Sequence, residues 1–314
     1  MNIEKIDVYN DNPKDGVNNE YPTPKYSFRQ PVLQMIVGVR HTGKSHLTSK
    51  ILAQAKKDKT FNRVYIVTPS FKSNEAYFGQ YINEEDVFEP TKDSIGDVIK
   101  CVEADRDEFE QYLEDMDMYK KYLKDMRKRS ITNIDGEVLV TYHSLGYLDG
   151  RKPEWKYDKV EPPKSLLILD DCLASPAISQ SSHLTRISTL NRHVACLKTP
   201  HSGRSACGLA VIILSQTYRC QGGVGISRIL RENLSLLTLF LNKQQKQLDA
   251  IKEELANVVD EELFEKAYKY ATKEKYGNLT TDFKPKCPTL TFRKNLNEII
   301  KFPELGCTCN ENKK

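Results

Sequence analysis

Apolar residues along this chain gather first into short, uninterrupted runs. Val32-Leu33-Gln34-Met35-Ile36-Val37 is rich in β-branched residues and stops at Gly38, the pattern of a buried strand. The period then changes. Over Ser45–Lys57, Leu47, Ile51, Leu52 and Ala55 fall on one helical face, and Arg63–Thr68 returns to a strand that Pro69 stops. Strand, glycine loop, helix and strand in that order predict the opening of a parallel α/β sheet. Further on, Ser165–Leu169, Leu209–Leu214 and Leu234–Leu241 are strand-sized apolar runs, while Gln244–Asn257 and Glu261–Lys275 carry helical spacing.

Between these pieces the rhythm breaks. From Ile95 to Met126 apolar residues recur close to helical spacing, with acids early (Glu103–Asp117) and bases late (Lys120–Arg129), as the helix dipole favours. This is read as a solvated surface helix, with a regulatory or partner-binding insertion as the alternative. Asp135-Gly136, between Ile131–Ile134 and Val138–Tyr142, predicts a β-hairpin. The organisation expected is an arm over 1–30, a main α/β domain over 31–300 with an insertion at about 84–162, and a tail over 301–314. Residues 280–314 show no single pattern.

Composition narrows the class. With 314 residues, 39% hydrophobic and 29% charged, 15 Gly and 14 Pro, the chain is neither collagen-like nor wholly disordered, and it can bury a sizeable core. No apolar run approaches the ~18 residues of a membrane span. Met1–Asp15 is polar and carries acids, unlike a secretory or transit segment, so a soluble intracellular protein is expected. The eight cysteines include no C-x-x-C pair, which favours reduced thiols. A metal clip from Cys287, Cys307 and Cys309 is the weaker alternative, because the usual zinc spacing is missing.

The net charge of +4 is uneven: residues 1–157 carry −2 and residues 158–314 carry +6. Between Asp171 and Asp249 the only acid is Glu232, against nine bases: Arg186, Arg192, Lys198, Arg204, Arg219, Arg228, Arg231, Lys243 and Lys246. Such a stretch attracts polyanions if its charges share a face. Separately solvated charges are the competing reading.

The strongest chemical signal is Gly38-Val39-Arg40-His41-Thr42-Gly43-Lys44-Ser45, which fits G-x-x-x-x-G-K-[ST] between a predicted strand and a predicted helix. Glycines let backbone N–H groups curl around a phosphate, and the helix N-terminus adds positive potential. The motif, with His46 directly after it, assigns residues 38–46 to binding a nucleoside triphosphate, with Lys44 on the β- and γ-phosphates and Ser45 on Mg²⁺. A loop of this kind needs an acid on a neighbouring strand. Leu166–Leu169 followed by Asp170-Asp171 supplies it, with Asp170 as the metal-holding carboxylate and Asp171 as acceptor of the proton from the attacking water. Gln216, also at a strand end, suits orientation of that water or sensing of the γ-phosphate. A further cation is expected near the leaving phosphates, and Arg204 and Arg231 both flank the Gln216 strand.

The order of these signals resembles the FtsK–HerA superfamily of P-loop NTPases, and most closely the poxvirus-type genome-packaging ATPases of giant viruses, virophages and their transposon relatives. The matching pieces are Gly38–Ser45, Leu166–Asp171, Gly203–Gln216 and Ile229–Asn233. The resemblance implies a RecA-like ASCE core: a central, mostly parallel sheet flanked by helices, here with a helical and hairpin insertion. It implies an ATPase that drives double-stranded DNA into a preformed capsid. A homo-oligomeric ring (pentamer or hexamer), a capsid or portal-vertex partner, and location in the virion or a viral factory in the host cytoplasm follow from it. Arg204 or Arg231 would then act between subunits. Asp171 departs from the Glu usual in cellular members, and the 84–162 stretch has no counterpart in the pattern. Two other functions stay open: a nucleotide or small-molecule kinase, and a nucleotide-gated assembly adaptor without turnover.

Overall fold

The computed structural model describes residues 19–128, 134–219, 226–242, 244–256 and 258–305. In chain order the strands are β1 (Leu33–Val37), β2 (Arg63–Val67), β3 (Val87–Phe88), β4 (Ser165–Asp170), β5 (Cys196–His201), β6 (Arg204–Ala206), β7 (Leu209–Ser215), β8 (Leu236–Phe240), β9 (Asn278–Asp282), β10 (Phe292–Lys294) and β11 (Glu298–Ile300). The helices are α1 (Lys44–Lys57), α2 (Phe71–Phe78), α3 (Ser94–Lys128), α4 (Gly136–Ser144), α5 (Pro176–Ser179), α6 (Ser182–Leu190), α7 (Arg228–Glu232), α8 (Gln245–Leu255) and α9 (Glu261–Ala271).

One nine-stranded sheet runs β11-β10-β9-β8-β1-β7-β4-β2-β3. From β8 to β3 every pairing is parallel; β9, β10 and β11 add an antiparallel edge beyond β8. A strand, β7, is thus inserted between β1 and β4, the strand that ends in the acids.

The central strands read as continuous apolar runs because both faces are covered. In β4 and β7, Leu167, Leu169, Val211 and Ile213 join one cluster with residues of α3, α6, α8 and α9, such as Val98, Ile187, Ile251 and Phe264. Their alternates Leu166, Ile168, Ala210 and Ile212 join a second with Leu47 and Leu52 of α1 and Phe78 of α2. One polar residue interrupts β1. Gln34 is buried and donates to Thr238 Oγ1 at 3.0 Å, which in turn pairs with Thr280 Oγ1 at 2.8 Å, so a ladder of side-chain hydrogen bonds crosses β1, β8 and β9.

Two expectations change. The hairpin around Asp135-Gly136 is a helix, α4, and residues 131–133 of its expected first strand, Ile131–Ile134, lie outside the described residues. Asp135 caps that helix, its side chain accepting from Glu137 N–H at 2.8 Å, and Glu137 adds an acid to the first turn. Asp-Gly suits a two-residue hairpin turn and a helix start equally, so the dipeptide decides nothing without a partner strand. Secondly, the patternless stretch from residue 280 onward holds the end of β9 and all of β10 and β11. Apart from the large sheet, residues 196–206 form a hairpin, β5–β6. It turns through Ser202 (φ 51°) and Gly203 (φ 76°), the two left-handed residues that a tight hairpin turn of matching twist uses. Residues 1–18 of the arm, Lys243, and the tail from 306 onward, with Cys307 and Cys309, are outside the described residues; Cys287 contacts Thr289 Oγ1 at 3.2 Å.

Candidate active site at the carboxyl edge of the sheet

The parallel strands all end on one edge, and the candidate residues collect there. Gly38 leaves β1 with its N–H donating to Ser215 O at the end of β7 (3.0 Å). A Cβ on Gly38 would sit 2.5 Å from Thr42 Oγ1 and 3.0 Å from Phe240 Cβ, so only glycine lets the loop turn this tightly. His41 (φ 63°) and Gly43 (φ 102°) carry the remaining left-handed turns. Helix α1 starts at Lys44, and among the described residues no side chain caps it, leaving its first N–H groups to a ligand. Lys44 folds back over the loop, Nζ donating to Gly38 O (2.6 Å) and Val39 O (3.2 Å). Burial pulls its pKa below the ordinary lysine value, and Asp170 and Asp171 oppose that fall. The lysine and both acids therefore share one electrostatic neighbourhood. This cradle, closed to a Cβ and lined by a cation and free helix N–H groups, fits a triphosphate.

Asp170 ends β4 and is 5% exposed. Its Oδ2 accepts from Asn74 Nδ2 of α2 at 2.8 Å. Burial, reinforced by Asp171, pushes its pKa up to about 6, while Lys44 and Asn74 pull the other way. A buried carboxylate beside the Ser45 loop, with one amide for company, fits a divalent cation better than it fits isolation. Asp171 is exposed and left-handed (φ 53°), a conformation that aspartate tolerates better than most residues. The turn brings its Oδ1 to Gln216 Nε2, which donates at 3.1 Å from the end of β7. Below them Cys172 is buried, its Sγ against Val67 O and Asp170 O, and burial pushes the thiol up to about 12, so it is inert.

The structure thus brings Lys44, Asp170, Asp171 and Gln216 together and leaves the two arginines elsewhere. Arg204 sits at the opposite, amino-terminal edge of the sheet. It is 1% exposed, and its guanidinium donates to Pro162 O (2.7 Å), Pro163 O (3.2 Å) and Cys207 O, 4.6 Å from the Tyr21 ring centroid. A cation spent on carbonyls under the chain's own arm cannot reach a neighbouring subunit, which corrects the sequence reading. Arg204→Ala is expected to destabilise folding by about 3 kcal/mol, through three abandoned buried acceptors. Nucleotide affinity at a permissive temperature should stay unchanged; a thermal melt beside a binding titration checks both. Arg231 is also committed within the chain. It is bidentate to Glu254 of α8 (both contacts 3.0 Å) and donates to Ile226 O at 2.5 Å, with the Tyr218 ring 5.5 Å away.

The basic stretch is similarly dispersed. Arg219 pairs with Glu253 and Glu254, Arg228 with Glu232, and Lys198 with Glu110 and Glu114 of α3. Acids distant in sequence supply most of these partners. Among the described residues of this stretch Arg186, Arg192 and Lys246 have no ion pair, and neither has the carbonyl-bound Arg204.

Sequence reasoning missed Asn74, whose only signal is its place in a helix after β2, far from Asp170 in the chain. It also missed Tyr276, beside the loop, in a stretch with no motif.

No protein-family model matches the chain, and no curated protein does. Among solved structures it is similar to the genome packaging NTPase B204 from Sulfolobus turreted icosahedral virus 2 in complex with ATP-gammaS, at 12% identity over 84% of this chain and 96% of that one, TM-score 0.40. EssC (ATPases 2 and 3) from Geobacillus thermodenitrificans is similar at 16% identity over 74% of this chain and 40% of that one, TM-score 0.36. The cytoplasmic domain of the Thermomonospora curvata type VII secretion ATPase EccC follows at 14% identity over 79% and 24%, TM-score 0.36. These are broad likenesses, and the site is read from the chain's own geometry. A glycine loop between β1 and α1, acids at the end of β4 and the strand inserted between them make this a P-loop NTPase fold.

Proposed function

We propose that the protein is an ATP-hydrolysing motor that moves double-stranded DNA into a preformed capsid. The observation that carries hydrolysis is the Gln216–Asp171 hydrogen bond beside Lys44 and Asp170. An exposed carboxylate with an amide on it suits a water rather than a bulky acceptor: Gln216 orients the water and Asp171 takes its proton as the oxygen attacks the γ-phosphorus. Lys44 and the first N–H groups of α1 hold the phosphates, and ADP leaves with its new negative charge against them. Ser45 and Asp170 are the residues suited to holding Mg²⁺, which when bound neutralises charge on the phosphate oxygens.

The DNA part of the reading rests on the order of motifs from Gly38 to Asn233, and with it come a ring of subunits, a capsid or portal partner and a viral setting. The unpaired bases Arg186, Arg192 and Lys246 suit phosphate contacts without sequence readout. ATP turnover is therefore expected to rise with the length of added duplex DNA, whatever its sequence, and the stimulation to fade as salt is raised. Turnover indifferent to DNA at low salt would remove the motor; a phosphorylated small molecule in place of free phosphate would make the protein a kinase.

A further inference from the structure

The glycine loop opens into a cleft of about 1420 Å³, lined from His41 to Leu47 at the start of α1 and continuing past the loop to Tyr276, Asn278 and Asn295. That is far more room than three phosphates fill. Tyr276 stands at the junction. A Cβ on Gly43 would lie 3.6 Å from its Cδ1 and 3.7 Å from Phe240 Cε1, so the ring borders the loop itself. It is 56% exposed, yet held in place: its backbone is left-handed (φ 67°), and the next residue, Gly277, packs so closely that a Cβ would sit 2.3 Å from Ala271 O. An exposed aromatic on a turn that cannot slide is a preformed stacking face.

Asn278 supplies an independent sign. Its Nδ2 donates to Tyr276 O (3.3 Å) and Asn295 Oδ1 (3.0 Å), two acceptors, which fixes the orientation of the amide. Among the described residues its Oδ1 is then an acceptor with no partner, in a residue 3% exposed on the cleft lining. A buried acceptor left without a donor is costly, and a ligand that donates there relieves the cost.

We infer that Tyr276 and Asn278 form the nucleobase subsite of this phosphate loop. Tyr276 stacks on the base, and Asn278 Oδ1 accepts from an exocyclic amino group, which favours adenine over hypoxanthine. The inference rests on the triphosphate reading above. Three ligands separate the two: ATP, inosine triphosphate and inorganic tripolyphosphate, each with Mg²⁺, titrated calorimetrically. Tyr276→Ala is expected to weaken ATP roughly 5- to 100-fold, the range of one lost base stack, and to leave tripolyphosphate unchanged. Tyr276→Phe should restore ATP binding, since the ring and not the hydroxyl acts. Inosine triphosphate should bind the unaltered protein more weakly than ATP. Equal losses for ATP and tripolyphosphate in Tyr276→Ala, or no loss for either, would overturn the stacking role. Equal affinity for ATP and inosine triphosphate would overturn the Asn278 contact. Tripolyphosphate that fails to bind the unaltered protein would instead bring down the phosphate-loop reading.

Discussion

Lys44→Ala is expected to remove nucleotide turnover and to weaken Mg-ATP binding by at least ~100-fold, on the scale of other preorganised charged donors. The reason lies in where the ammonium already is. Its Nζ spans Gly38 O and Val39 O, so the loop is closed by the same group that the phosphates would engage. Much of its desolvation has been met in folding, with Asp170 and Asp171 compensating. A phosphate therefore meets a placed, partly dehydrated cation rather than a mobile one. Lys44→Arg should not rescue, because a planar fork cannot enter a cradle shaped for a point charge. Calorimetric titration with Mg-ATP and a phosphate-release assay, beside a circular-dichroism melt to show the variant folded, measure the effect. Full turnover in Lys44→Ala would refute the site.

Asp170→Asn should split stability from activity. In the folded chain this carboxyl titrates at about 6, against 3.8 for an unperturbed aspartate, chiefly because it is buried. Its folded pKa is raised, so the associated stability is complete below pH ~4 and is lost as pH climbs through ~6. At pH 7 the nucleotide-free protein therefore carries a buried charge at a cost of about 3 kcal/mol. Asparagine keeps an acceptor for Asn74 and discards the charge. The nucleotide-free variant should melt higher at pH 7, by roughly 5 °C for a chain of this size, and no higher than the unaltered protein at pH ~4. Its Mg²⁺-dependent turnover should fall to background, since the carboxylate suited to the metal is gone. A variant that melts lower at pH 7, or that retains turnover, would show that Asp170 is an ordinary structural acid. Function held at the expense of stability is the usual mark of an active site.

The two experiments probe parts of the site that differ in how visible they were beforehand. Gly38–Ser45 was legible because every demand on it is local: glycine where a Cβ collides, a lysine one step into a helix, a β-branched run before it. Asp170-Asp171 and Gln216 were legible for a related reason. In a parallel sheet covered on both faces the strands show as apolar runs, and whatever polar residue ends a run lies on the ligand edge. Their mutual contact, Gln216 Nε2 on Asp171 Oδ1, required only that β4 and β7 be neighbours.

The arginines were not legible, and the failure is physical rather than accidental. A guanidinium has five donors and a long reach, so its sequence neighbours do not say whom it serves. Arg231 took Glu254 from α8, and Arg204 took carbonyls before β4 and after β6. The same freedom dissolved the basic stretch, since Lys198 found acids on α3, more than eighty residues away in the chain. α4 was misread because Asp-Gly serves two local structures and the choice lies with what packs against it. β10 and β11 have three residues each, and β9, Asn278-Leu279-Thr280-Thr281-Asp282, has a single large apolar residue, so none shows as an apolar run; they exist because β8 offers them an edge.

Local composition was enough to set which backbone segments are strands or helices in the core and which loop can wrap a phosphate, because backbone sterics and side-chain period act over a few residues. Folding had to choose the partners: which cations are neutralised, that Asn74 attends Asp170, that Tyr276 stands beside Gly43. Coulomb attraction, burial and hydrogen bonding act between groups that proximity in space, and not order along the chain, brings together.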